Sequence, residues 1–196
     1  MEIFLATKNK DKIKEIETVL KNMNIKIFSL NDYPEFPATK EDGKTYKENA
    51  VKKAFEGLRY TKKICLADDS GLEIEYLDGK PGIYSSRWGE TDKNKINKVL
   101  TFLEGVPKNR RCAKFVCVLA LIIPNGKLHI IREKCDGEIS FKPKGNDGFG
   151  YDPIFLIPKH NKTFAELGSK IKNQISHRGK ALKKVRKILE VISSKS

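Results

Sequence analysis

MEIFLATKNKDKIKEIETVLKNMNIKIF, residues 1–28, contains a complete β-α-β pattern. The apolar run at residues 3–6 predicts a buried strand, and a polar turn follows it. Apolar residues then recur at helical spacing, which predicts a helix whose inward face is Ile13, Ile16, Leu20 and Met23. Residues 25–28 alternate as a second strand. This opening favours an α/β fold.

The middle of the chain continues the alternation of helices and strands. Residues 33–43 form a loop rich in proline and acidic residues, and Thr45 with Glu48 then matches a capping box that opens a helix. Its buried stripe is expected to be Ala50, Ala54, Phe55 and Leu58. Ile64 to Ala67 predicts another strand, which runs directly into two aspartates.

The second half supplies further elements of both kinds. Residues 96–103 carry a helical stripe, and residues 115–123 and 127–132 flank a Pro-Asn-Gly turn as a β-hairpin. A strand is expected at residues 154–157, and Ser176 is expected to cap a final helix. The buried face of that helix is predicted to be Ala181, Leu182, Val185, Ile188, Leu189 and Ile192.

Length and composition describe an ordinary globular chain. With 196 residues, one domain covering residues 1–196 is expected. No apolar run approaches the roughly 20 residues of a membrane span, and the N-terminus lacks the features of a signal peptide. The four cysteines have no metal-ligand spacing and are expected to be buried thiols, which fits a cytoplasmic protein.

The formal charge of +14 invites two interpretations. One is a basic module that binds nucleic acid, for which tight binding should be sensitive to salt. The lysines, however, are scattered and are not interleaved with aromatic residues as in a stacking platform. A basic field would attract a nucleoside triphosphate equally well, so we expect no nucleic-acid partner.

The turn at residues 7–12, TKNKDK, joins the first strand to the first helix. The positive end of a helix and nearby lysines can bind phosphate. The turn lacks the P-loop spacing, and a solvated lysine-rich turn is the simpler interpretation of these residues alone.

Asp68 and Asp69 end the strand at residues 64–67, and only one of the two can easily face a given site because neighbouring strand residues point to opposite faces. Mg²⁺ takes one or two protein carboxylates besides phosphate oxygens and water, so Glu41 in the acidic loop is a suitable partner. An Asx-turn at a strand end explains the same pair equally well.

Two later segments can contact a nucleotide. GNDGFGYDP, residues 145–153, has three glycines that allow close backbone approach, and Phe149 offers a flat face to a base. KNQISHR, residues 172–178 at the start of the last helix, offers cations and donors for phosphate or a carbonyl-bearing base. Each has a structural alternative, an irregular connection packed by aromatic residues and a capped helix, respectively.

Several segments in order along the chain resemble the inosine triphosphate pyrophosphatase family, whose members hydrolyse ITP, dITP and XTP to the monophosphate and pyrophosphate. The likeness covers nearly the whole chain. Its carriers are LATKNKDKIKEI, EDGKTYKENA, LADDSGLEI, PGIYSSRW, GNDGFGYDPIF, KTFAEL and KNQISHRGKAL. Mild departures are Lys8 and Asp147, which stand where glycine is frequent in the family.

The resemblance implies roles for individual residues. Asp69 is implied as the proton acceptor, and Glu41 and Asp69 as ligands of Mg²⁺. The implied substrate contacts are Thr7, Lys8, Asn9, Lys10, Asp11, Lys12, Ser70, Phe149, Gly150, Tyr151, Asp152, Lys172, His177 and Arg178.

The resemblance also implies an architecture and a selectivity. Relatives have a long mixed β-sheet flanked by helices, form two lobes with the nucleotide in the cleft between them, and are homodimers. Donors from His177, Arg178 or the backbone would pair with a 6-oxo purine and oppose the 6-amino group of ATP, while GTP must be excluded through its 2-amino group. A general nucleotide pyrophosphatase acting on modified pyrimidines is the nearest rival enzyme.

Overall fold

The computed structural model describes residues 1–194 and consists of a seven-stranded sheet with five α-helices. The strands are β1 (Glu2–Leu5), β2 (Lys26–Ser29), β3 (Ile64–Ile74), β4 (Cys112–Ile122), β5 (Leu128–Ile139), β6 (Phe155–Ile157) and β7 (Lys162–Thr163). The helices are α1 (Lys10–Leu20), α2 (Tyr46–Thr61), α3 (Asp92–Phe102), α4 (Phe164–Ile175) and α5 (His177–Ser193).

The sheet is mixed, as expected, with the strand order β2-β1-β3-β4-β5-β6-β7. β1 pairs in parallel with β2 and with β3, while β6 pairs antiparallel with β5 and with β7. The parallel pairing of β1 with β2 through α1 confirms the opening β-α-β unit. The predicted hairpin is also confirmed, because Ile123 N–H donates to Lys127 O at 3.1 Å between β4 and β5.

The described residues divide into two compact units, the first comprising residues 1–69, 117–133 and 178–194. Its core packs β1, β3 and β4 against the inward faces of α1 and α5. The α5 face follows the prediction, with Ala181, Leu182, Val185 and Leu189 buried. Asn9 caps α1 by accepting from Lys12 N–H at 2.9 Å. This fixes the start of α1 directly after β1.

The second unit comprises residues 70–116 and 134–177. Its core contains Phe115, Phe155 and Phe164, together with the buried face of α3. Arg111 is buried there, and its guanidinium donates to the backbone carbonyls of Leu103, Val106, Ile139 and Ser140. The Arg111 anchor therefore ties the end of α3 to the end of β5.

Several local predictions were wrong. α1 ends at Leu20, so Met23 lies outside the helix, although it still packs against the core. Phe55 is 48% exposed because the buried face of α2 is turned toward Asn49 and Lys53. Cys112 is exposed at the first residue of β4, whereas the other three cysteines are buried. Helix α4 was not predicted. Its helical backbone is interrupted at Gly168, which has a φ of 73°.

Within residues 1–194, no helix is both long enough and apolar enough to cross a membrane.

Candidate active site

Asp68 and Asp69 lie inside β3, which continues to Ile74. The prediction that they end a strand was therefore wrong, and so was the alternative of an Asx-turn. The strand continues because Leu72 and Ile74 add their side chains to the core of the second unit. Ser70 follows in the same strand and is half-buried. Asp68 and Asp69 have different partners, as expected for neighbours on a strand.

Asp68 is buried in a network of charges. One carboxylate oxygen accepts from Lys12 and the other from Arg178 Nε at 2.9 Å, and Cys117 Sγ lies 3.4 Å from the second oxygen. Arg178 also pairs with Glu15 at 2.6 Å. Burial alone would raise the pKa of Asp68, but the charges of Arg178 and Lys12 outweigh it and hold the pKa well below its ordinary value. Asp68 therefore stays ionised at neutral pH and holds Lys12 and Arg178 in place.

Asp69 is buried in a less positive environment. Asn49 Nδ2 donates to it at 3.1 Å, and Lys53 Nζ lies 3.5 Å away. Burial raises the pKa of Asp69 above its ordinary value, although the charges of Lys53 and Lys12 and the Asn49 hydrogen bond oppose that rise. The site thus contains one carboxyl that stays ionised and another that accepts a proton more readily.

Glu41 reaches the same lysine from the loop before α2. Lys53 Nζ donates to Glu41 at 3.1 Å and to the carbonyl of Asp68 at 2.7 Å, so one ammonium contacts both Glu41 and Asp69. Asn49 holds this loop by accepting from Gly43 N–H at 2.8 Å. The two carboxylates predicted to share a metal ion therefore converge on one positive charge.

The donor set fits a magnesium ion in charge and in ligand type, since carboxylate oxygens are preferred by Mg²⁺. Within residues 1–194, no three His, Cys, Asp or Glu side chains cluster in a way that could hold a metal on their own. Two carboxylates would leave the remaining positions to water and phosphate oxygens, which is the usual arrangement for Mg²⁺ at a nucleotide.

The turn at residues 7–12 lies at the N-terminus of α1, as predicted. Thr7 Oγ1 accepts from Asn9 N–H at 3.1 Å, and Lys8, Lys10 and Asp11 are exposed. Lys12 points to Asp68. The positive end of α1 is therefore placed beside a site that contains further lysine charge.

The segment at residues 149–152, here called the 149–152 loop, belongs to the second unit. Asp152 is buried and accepts from Phe149 N–H at 2.9 Å and from Lys172 Nζ at 2.6 Å. The Lys172 ammonium also lies 4.4 Å from the centre of the Phe149 ring. Gly148 has a φ of 83°, and a Cβ there would come within 2.1 Å of the Asp152 carboxylate. The loop is thus folded around the Lys172–Asp152 pair.

The segment at residues 172–178 lies on two helices. Lys172 belongs to α4, and only His177 and Arg178 begin α5, so placing all of them on the last helix was wrong. The His177 ring stacks on Phe115 with 4.7 Å between centroids. Arg178 belongs to the first unit, where it pairs with Asp68 and Glu15.

Comparison with known proteins identifies the family. The model of the Ham1 family matches residues 3–188. The chain belongs to the Ham1 family. This membership and the relatives below confirm the family resemblance drawn from the sequence.

Relatives of this Ham1 chain include a dITP/XTP pyrophosphatase of Desulforamulus reducens, 47% identical over 96% of each chain. A solved Ham1 protein from Coxiella burnetii is 41% identical, with a TM-score of 0.87 over 97% of this chain and 98% of that one. A nucleoside-triphosphatase / dITP/XTP pyrophosphatase from Mycobacterium abscessus is 38% identical, with a TM-score of 0.76 over 94% and 98% of the two chains.

Sequence reasoning missed two residues of the site in this Ham1 chain, Asn49 and Lys53. Both are buried on α2, in register with Tyr46, Ala50 and Ala54. The sequence did contain a signal for them. Polar residues that fall on the buried face of a helix require buried hydrogen-bonding partners.

Proposed function

We propose that this chain hydrolyses ITP, dITP and XTP to the nucleoside monophosphate and pyrophosphate, and that it does so as a magnesium-dependent nucleoside-triphosphate pyrophosphatase. The observation that carries the proposal is the convergence of Glu41 and Asp69 on the Lys53 ammonium. The names of the relatives matched over nearly the whole chain support the substrate class. We further propose that residues 1–196 act as one catalytic domain and that the enzyme is a cytoplasmic homodimer.

In the proposed reaction, a water oxygen forms a bond to the α-phosphorus, and the bond from that phosphorus to the bridging oxygen breaks. Asp69 accepts the proton of the water and thereby generates the nucleophile. The raised pKa of Asp69 supports this role, because a carboxylate that binds protons more tightly is a better base. Glu41 and Asp69 would hold Mg²⁺, which would offset negative charge on the phosphate oxygens when bound.

The phosphates would be bound by residues 7–12, with Asn9 and Lys12 foremost. Ser70 would contact the substrate beside Asp69, the general base. The Lys12 charge is already oriented by Asp68, and an oriented cation stabilises developing negative charge without rearranging.

The nucleoside would be bound by the 149–152 loop together with Lys172, His177 and Arg178. Donors of His177, Arg178 or the backbone would pair with the 6-oxo group of hypoxanthine or xanthine. The 6-amino group of adenine would face these donors with a donor of its own. A site built on such a hydrogen bond can discriminate by about 10⁴-fold, so we expect rejection of ATP.

The test is pyrophosphate release from ITP, XTP, GTP and ATP, each with Mg²⁺ and with a chelator. We expect ITP and XTP to be hydrolysed only with the metal, and ATP and GTP to be poor substrates. Equal turnover of all four would remove the purine selectivity from the proposal. Full turnover of ITP in excess chelator would contradict the proposed requirement for a metal ion.

A further inference from the structure

The 149–152 loop is fastened at two points by one distant segment of the second unit. Tyr151 Oη donates to the carbonyl of Ser85 at 2.9 Å, and Gly150 N–H donates to Asp92 Oδ2 at 2.7 Å. The loop also has the local bond from Phe149 N–H to Asp152 and the bond from Lys172 to Asp152. The orientation of the loop therefore depends partly on Ser85 and Asp92, to which the sequence analysis gave no individual role.

Asp92 is well placed to hold the Gly150 amide. It is the first residue of α3, and the Thr91 side chain fixes that helix start by accepting from Asn94 N–H at 3.1 Å. Lys95 Nζ contacts the other oxygen, Oδ1, at 3.1 Å. With Oδ1 occupied by Lys95, Oδ2 is directed to Gly150. An ionised acceptor makes a stronger hydrogen bond than a neutral one.

We propose that Asp92 is a positioning residue for the nucleoside half of the substrate, acting through the Gly150 amide; this rests on the function proposed above. Gly150 has a φ of 62°, which is a left-handed backbone conformation. Glycine can adopt this conformation and many others at little cost. The Asp92 bond selects one of these states. It thereby sets the direction of the neighbouring Phe149 ring, on which Lys172 lies.

Two variants separate the bond from the charge. Asp92→Ala removes both the acceptor for Gly150 and the negative charge at the start of α3. Asp92→Asn removes the same charge but keeps a carbonyl oxygen that can accept from Gly150 N–H. The difference between the two variants therefore isolates the acceptor.

The first measurement is the exchange rate of the Gly150 amide hydrogen by NMR in the wild type and both variants. The second is the binding of inosine monophosphate and of inorganic pyrophosphate by calorimetry, each with Mg²⁺. In Asp92→Ala we expect faster exchange and about tenfold weaker binding of the monophosphate, the effect of one lost hydrogen bond to a partly exposed charge. Pyrophosphate binding should be unchanged, and Asp92→Asn, whose neutral oxygen still accepts but more weakly, should lie between Asp92→Ala and the wild type.

Three results would overturn the proposal and point to different errors. Unchanged Gly150 exchange in Asp92→Ala would mean that the bond does not order the loop. Faster exchange with unchanged monophosphate binding would mean that the order of the loop does not matter for the nucleoside. A wild type that binds neither inosine monophosphate nor pyrophosphate would instead locate the failure in the proposed function.

Discussion

Two adjacent carboxyl groups in β3 differ in protonation behaviour because their partners differ. Asp68 faces Arg178 and Lys12, whereas Asp69 has Lys53 as its nearest cation and lies near the Glu41 carboxylate. One residue is suited to hold cations, the other to accept a proton. Each assignment can be tested by the same conservative change, from Asp to Asn.

Asp69→Asn should lower turnover of ITP at least ~10²-fold, because the variant loses both the base and one metal ligand. Steady-state pyrophosphate release measures this. Asp42→Asn is the matched control, since Asp42 is an exposed neighbour of Glu41 that pairs with Lys40 and Lys52, and its turnover should remain normal. Near-normal turnover in Asp69→Asn, combined with its loss in Glu41→Ala, would show that the base was assigned to the wrong residue.

Asp68→Asn should instead act on stability. It leaves the buried Arg178 without one partner, which costs about 3–5 kcal/mol for a buried pair. Because the pKa of Asp68 is lowered by folding, its contribution is complete above the unfolded pKa of about 3.9 and is lost as the pH falls through the folded value. The difference in unfolding free energy between wild type and variant should therefore shrink from pH 7 to pH 3.

Urea unfolding at the two pH values measures this difference. The exposed Asp11 provides the control, and Asp11→Asn should change the unfolding free energy at pH 7 far less than Asp68→Asn does. A gap between wild type and Asp68→Asn that is as wide at pH 3 as at pH 7 would contradict a depressed pKa.

At the scale of elements, α2 links the loop of Glu41 to the strand of Asp69. Thr45 Oγ1 accepts from Glu48 N–H at 3.1 Å, while Glu48 accepts from Lys44 N–H at 2.8 Å. The predicted capping box is therefore only half formed, since the return bond goes to Lys44 and not to Thr45. Asn49 then bonds both to Gly43 and to Asp69.

Asn49→Ala should loosen the Glu41 loop without unfolding α2, because alanine is the best helix former. We expect faster exchange of the Gly43 amide and a higher Mg²⁺ concentration for half-maximal turnover. Amide exchange and a magnesium titration of pyrophosphate release measure the two effects. If the titration curve is unchanged while Gly43 exchange rises, the loop does not position a metal ligand.

At the contact of α2 with the sheet, we expect replacement of a glycine by alanine to lower stability, whereas the same change in a helix interior usually raises it. Alanine in place of glycine normally stabilises a helix interior by about 1 kcal/mol. A Cβ at Gly57 would come within 2.4 Å of Cys65 Sγ and 3.0 Å of the Phe4 ring, so Gly57→Ala should destabilise by about 1–3 kcal/mol. Thermal unfolding measures this, and adding Cys65→Ala should recover part of the loss. A Gly57→Ala protein more stable than the wild type would disprove the close packing.

The sequence predicted which elements exist better than where they end. Apolar periodicity located α1, α3 and α5 because their stripes face cores made of hydrophobic residues. At α2 the predicted face was correct for Ala50 and Ala54 but wrong for Phe55, because polar site residues occupy part of the inward face. The periodicity also stopped β3 at the first aspartate, because buried carboxylates are read as solvent-facing until their cationic partners are known.

At the scale of the molecule, we expect the surplus of positive charge to attract small anions such as nucleoside triphosphates without binding polynucleotides tightly. We expect single- and double-stranded oligonucleotides to bind no more tightly than ~10⁻⁶ M at physiological salt, the strong end of nonspecific binding. Fluorescence anisotropy over a salt series measures this, with ITP hydrolysis in the presence of the oligonucleotide as the companion assay. Tight binding that falls steeply with salt and inhibits hydrolysis would favour the nucleic-acid interpretation.

The order of the strands in the sheet could not be predicted from any local sequence pattern. The opening β-α-β unit could be predicted because its contacts are near in sequence. The pairing of β1 with β3 joins residues about 60 positions apart, and no periodicity specifies such a partner. The charge network is equally non-local, because Arg178 meets Asp68 across 110 positions. Only the family resemblance placed those residues in one site.

The Arg111 anchor implies an uneven tolerance of change. Its acceptors are main-chain carbonyls, which every amino acid provides, so the four acceptor positions can vary in side chain without losing the bond. The donor cannot vary, because lysine lacks the planar fork that reaches several oxygens at once. A library of variants should accordingly accept many residues at Ser140 and reject nearly all at Arg111.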